Sequence, residues 1–178
     1  MESPMNRMHR LLVMIAVSAA VTACVTAPPA PPPTPVDPTT PTQRLLLIER
    51  DAGVDDTELS VQPLRDPQVD DLRDTSKSKR QAGDLAGAAA ALDQALGLVS
   101  GDPAILQERA EVSVLQADWP AAERFAKQAI ALGSKTGPLC RRHWATIEQS
   151  RLARGEKENA ASARAQIAGC TVPGLKRY

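Results

Sequence analysis

From residue 85 onward, apolar positions recur at helical spacing and are interrupted by a small residue followed by aspartate. Leu85, Ala88, Leu92, Ala95 and Leu96 stand at i, i+3, i+7, i+10 and i+11, which is one stripe of an amphipathic helix. Gly83 stops the preceding segment and Asp84 caps this one; Gly101-Asp102-Pro103 repeats the stop and start. In the helix that follows, Leu106, Ala110 and Val114 fall at i, i+4 and i+8. Ala117-Asp118 is a second turn, and beyond it Ala122, Phe125, Ala126, Ala129 and Ile130 share a face until Gly133 ends the helix. Upstream, Asp66-Pro67 places a capping carboxylate before a first-turn proline, predicting a helix from there to about Ala82.

The first part of the chain has another pattern. Arg7, His9 and Arg10 precede an apolar run from Leu11 to Ala20 broken only by Ser18, the layout of a signal peptide. The run is shorter than the ~20 apolar residues of a membrane span. It ends in Val21-Thr22-Ala23-Cys24, which resembles the lipobox of bacterial lipoproteins. That resemblance implies cleavage before Cys24, lipid on its thiol and acylation of the new amino group, hence a membrane partner through the lipid. Val25 rather than aspartate after the cysteine implies an outer-membrane address facing the periplasm. Residues 24–42 then form a tether: from Ala27 to Thr42 proline removes donors and fixes φ, so the segment is expected to be disordered or extended polyproline II. At ~3.1 Å per residue it would reach on the order of 50 Å. Residues 43–66 are a lead-in. There Leu45-Leu46-Leu47-Ile48 is expected to pack as a short helix, and Glu58 to Val61 to run extended.

Composition narrows the class. Aromatic residues make up 2% of the chain, so a core must be built from Ala, Leu, Val and Ile, which favours close helix packing over a β-sandwich. The formal net charge is zero, which gives no electrostatic footprint for nucleic acid. An all-α domain over 67–172, with a tail at 173–178, is the resulting expectation.

The interval from Gly83 to Ala117 is 34 residues, the period of tetratricopeptide repeats, and the two units resemble that family in detail. Gly83, Ala88 and Ala95 occupy the family's turn and small helix-B positions in one unit, and Ala117, Ala122 and Ala129 in the next. Leu106 and Ala110 stand at the bulky and small helix-A positions; Trp144, Ile147, Gly155 and Ala160 outline a third unit. Small residues are required where the paired helices cross closely. The pattern is broken by Ser100 and Ser134 where proline is usual, by polar Thr75, Ser76 and Lys79 at core positions, and by Arg164 in the third helix B. The implied fold is an antiparallel helix-turn-helix solenoid of about three repeats.

Cys140 lies fifteen residues before Gly155 and Cys170 fifteen after, so a hairpin turning at Gly155 brings them to the same height. A disulfide there would contribute roughly 3 to 4 kcal/mol in the chain-entropy account. It would hold a terminal repeat with no following neighbour.

Motifs of catalysis are missing. No phosphate loop, CxxC or Cys/His cluster occurs, and His143 is expected to be a surface residue. The chain reads as a non-enzyme without cofactor or metal. The family binds peptides or proteins on the concave face formed by helices A. By position that implies Arg73, Lys77 and Arg80 in the first unit, Gln107, Glu111 and Val114 in the second, and Arg142 and Gln149 in the third. The functional expectation is an envelope adaptor or assembly factor with a protein partner; the alternative is a structural or self-associating lipoprotein.

Overall fold

Every helix of the domain but the last begins at or next to a glycine, proline or aspartate, as the stop-and-start signals predict. The computed structural model describes residues 37–53, 66–133 and 135–171, all within one unit. The leader, Cys24, most of the tether, the Glu58–Val61 segment and the tail lie outside these residues. Seven helices are described: α1 (Pro41–Ala52), α2 (Pro67–Gln81), α3 (Leu85–Leu98), α4 (Pro103–Leu115), α5 (Trp119–Leu132), α6 (Gly137–Ala153) and α7 (Lys157–Gly169). Asp66, Asp84, Asp102 and Asp118 each cap a helix by accepting from its first-turn amides.

The helices pair as α2/α3, α4/α5 and α6/α7 and stack in that order, giving three antiparallel helix-turn-helix units of a tetratricopeptide-like α-solenoid. Among the described residues there is no strand. The turn residues Gly83, Ala117 and Gly155 all have positive φ, at 79°, 57° and 77°. Ala117 is therefore in a conformation that glycine adopts more readily. Ala88, Ala95, Ala110, Ala122, Ala126 and Ala163 are buried at the helix crossings, where their size lets the backbones approach.

The third unit is longer than its neighbours: α6 has 17 residues against 13 in α4, about one extra turn. That turn carries Cys140, which is bonded to Cys170 at the end of α7, and Gly137 donates its amide to the Cys170 carbonyl at 2.8 Å.

In the first unit, Val69 and Ser76 are buried in α2, with Leu72 packed partly against them. Thr75, expected in the core, is exposed instead, and Lys79 is only half-buried. The face of α2 that meets α3 runs through 69, 72 and 76, and Thr75 lies off that stripe.

α1 has no counterpart among the repeats. Thr40 and Gln43 form a capping box and Pro41 occupies the first turn, so Pro41 and Thr42, placed in the tether by composition, belong to the helix. Arg44, Leu45, Ile48 and Ala52 form the buried stripe, while Leu46 is 59% exposed. This stripe packs on α6 and α4, the A helices of the third and second units. No described helix is long and apolar enough to cross a membrane.

Candidate docking groove

The first-turn prolines and aspartate caps set α2, α4 and α6 side by side as the inner row of the solenoid, with α3, α5 and α7 behind them. A groove of about 560 Å³ opens along this row over the first two units. Arg73, Lys77 and Arg80 project into it from α2, Glu108 and Glu111 from α4, and Arg142 from α6. The one-turn spacing of 73, 77 and 80 puts those three cations on a single face of α2.

Side-chain pairs bridge the groove. Arg73 donates from Nε to Glu108 at 3.0 Å and lies 3.4 Å from Asp70. Its guanidinium pKa is raised, first by that hydrogen bond to Glu108. Arg142 holds Glu111 by two nitrogens, one at 2.8 Å, and Arg80 lies 3.7 Å from the same carboxylate. Lys77 is exposed and, among the described residues, has no ion-pair partner.

Glu111 forms the floor. Its side chain is 1% exposed, and burial raises its pKa against the opposing pull of Arg142, Gln107 and Arg80. Beneath it Gln107 donates to Glu111 at 2.9 Å and to Thr146 at 2.8 Å, and its carbonyl oxygen meets His143 Nδ1 at 2.7 Å. Because the amide nitrogen of Gln107 faces a carboxylate, its oxygen must face His143, so Nδ1 carries the proton.

His143 is 0% exposed, not on the surface as expected from its sequence context. It follows Cys140 and precedes Ile147 at i, i+3 and i+7, the inward stripe of α6, and that periodicity was the available signal. Burial first, then the charge of Arg142, holds its pKa down to about 4.

Of the residues assigned to a docking face, Arg73, Lys77, Arg80, Glu111 and Arg142 come together at this groove. Gln107 and Gln149 do not reach its surface. Gln107 is the internal link just described, and Val114 is also fully buried, packed with Ile48 of α1. Gln149 lies under α1, where both its carbonyl oxygen and its side-chain oxygen accept from Arg44 at 3.2 Å.

Arg44 was not singled out by the sequence, because its place on the stripe of α1 reads as a charged flank. Its side chain is 1% exposed, pairs with Asp37 at 2.9 Å and lies 5.6 Å over the Trp119 ring. Hydrogen bonds from Thr39 and the bond from Arg44 hold Asp37 down to about 2. Arg141 donates to the Ala52 carbonyl at 2.7 Å, and Arg164 pairs with Asp51. α1 thus covers the third-unit end of the inner face and leaves the groove over α2 and α4 open.

No group of three His, Cys, Asp or Glu side chains gathers among the described residues in a way that would hold a metal. No family model matches the chain, and no curated protein sequence matches it. Among solved structures it is similar to the globular C-terminal domain of P. aeruginosa LpoP. The two are 28% identical, the match covers 59% of this chain and 99% of that one, and the TM-score is 0.56. Nearly the whole of that helical domain is therefore matched.

Proposed function

We propose that this chain is an envelope lipoprotein whose helical domain docks a protein partner in the groove between α2, α4 and α6. Cys24 carries the lipid, the proline-rich segment spans from an outer-membrane attachment into the periplasm, and the repeat domain works as an adaptor or assembly factor. The observation that supports this reading most is the groove itself. Three successive A helices contribute charged side chains to one open channel, and Lys77 stands in it without an ion-pair partner among the described residues. The likeness to LpoP adds that a globular domain of this kind occurs at the C-terminal end of another bacterial protein, the order expected here.

A second reading is self-association. It is favoured by Leu98, Val99 and Leu132, which are exposed at the ends of α3 and α5 at repeat-equivalent places. Photo-crosslinking in intact cells from position 81, one turn from Lys77 on α2 and exposed, with a second probe at position 132, separates the two. Recovery of one non-self protein from position 81, lost when Lys77→Glu/Arg80→Glu is added, supports the adaptor. Recovery of the chain itself from position 132 and nothing from 81 would discard it. Labelling with palmitate is expected to require Cys24; an unlabelled protein retaining that cysteine would remove the anchor.

A further inference from the structure

The groove is electrically divided along its length. Toward the start of α2, Asp70, Asp74 and Glu108 face the single base Arg73, an excess of negative charge. Toward the end of α2, Lys77, Arg80 and Arg142 surround Glu111, an excess of positive charge. Glu49 of α1 lies 4.0 Å from Arg142 and reduces that excess without reversing it. Asp70 and Arg80 are separated by ten residues of one helix, so the two poles lie about 15 Å apart.

Between the poles the channel is also lined by Ser76, Leu92 and Val112, all buried. At the acidic pole Arg73 is already paired with Glu108, and the negative excess is left on Asp70 and Asp74. At the basic pole, Glu111 is held by Arg142, Arg80 is 3.7 Å from the same acid, and Lys77 has none among the described residues. Cationic capacity for a ligand therefore remains at that end.

Resting on the docking function proposed above, we propose that the groove takes a polypeptide segment of segregated charge. Its carboxylates sit against Lys77 and Arg80, and its basic residues against Asp70 and Asp74. An extended chain rises ~3.3–3.6 Å per residue, so about four or five residues span the poles. Opposed fields fix the orientation of such a segment, because reversing it sets like charges together at both ends. A uniformly acidic or uniformly basic segment gains at one pole and loses at the other.

The test uses the full-length lipoprotein in detergent micelles and two fluorescein-labelled peptides with blocked ends. One has the sequence Lys-Lys-Ala-Ala-Ala-Glu-Glu; the other, Lys-Glu-Ala-Ala-Ala-Lys-Glu, has the same composition with each end neutral. Fluorescence anisotropy at low salt should show at least tenfold tighter binding of the segregated peptide. That preference should disappear in Lys77→Glu/Arg80→Glu and weaken in the milder Lys77→Gln, which keeps the bridges of the groove intact. Equal affinities, or binding of neither peptide, would overturn the charge-segregated ligand. If position 81 still crosslinks to a non-self protein in cells, the docking function survives that failure; if it crosslinks to none, the docking function falls with it.

Discussion

At the residue scale, His143 is a buried group whose charge state is linked to folding. In the unfolded chain it titrates near 6.5, and in the folded protein it is held down to about 4. Above pH 6.5 it is neutral in both states and costs the fold nothing. As pH falls from 6.5 to 4 the unfolded state takes up a proton that the folded state refuses, and stability is lost. Below 4 both states are protonated and the loss levels off, at on the order of 3 kcal/mol. Glu111 and Glu148 act in the opposite sense, because burial raises both carboxyls and their contribution declines as pH rises past the ordinary range. The informative quantity is thus a difference between proteins. Urea denaturation of His143→Gln should show a flatter dependence of stability between pH 4 and 6.5 than the parent chain, and parallel curves would show that His143 is not the group responsible.

At the element scale, α1 separates what the sequence could tell from what it could not. The helices of the first two units were legible because they carry their own signals: aspartate caps, small residues at the crossings, and turn residues at the family spacing. α1 shares none of that periodicity, and its partners are remote. Arg44 bonds to Gln149, 105 residues away, so neither the burial of the arginine nor the loss of Gln149 from the inner face could be read locally. Repeat register places Arg73, Lys77, Arg80, Glu111 and Arg142 on the inner face of helices A, and these side chains line the groove. The same register cannot say whether Gln107 turns up to the groove or down to His143, and it turns down. Arg44→Ala removes an ion pair and two hydrogen bonds from a buried site and leaves Asp37 and Gln149 without their partner. A cost of about 2–3 kcal/mol is expected. Hydrogen exchange should show α1 opening while α2 to α5 keep their protection; unchanged protection of α1 would mean that Leu45 and Ile48 suffice to seat it.

At the scale of the whole molecule, a solenoid is close to one-dimensional, so its stability is distributed unit by unit and can differ at its two ends. The third unit is held by the Cys140–Cys170 bond, by α1 lying over α6, and by Glu123, whose carboxylate is flanked by Lys127, Arg151 and Arg154. These cations keep Glu123 at about 2 despite its burial. The first unit has none of these supports. α2 buries Val69 and Ser76 fully, and much of its remaining surface is the charged wall of the groove. Local opening is therefore expected to be easiest at α2 and hardest at α6 and α7, and native-state hydrogen exchange should order the amides accordingly. Reduction of the disulfide should compress that order by weakening the third unit by roughly 3 kcal/mol while leaving α2 where it was. The end that opens most readily is also the end that carries Arg73, Lys77 and Arg80. A ligand seated there would have to hold α2 against α4, and its binding should slow exchange in α2 before any other helix. Uniform slowing across all three units would instead mean that the domain responds as one rigid body, and exchange fastest in α7 would invert the order of stability assigned to the array.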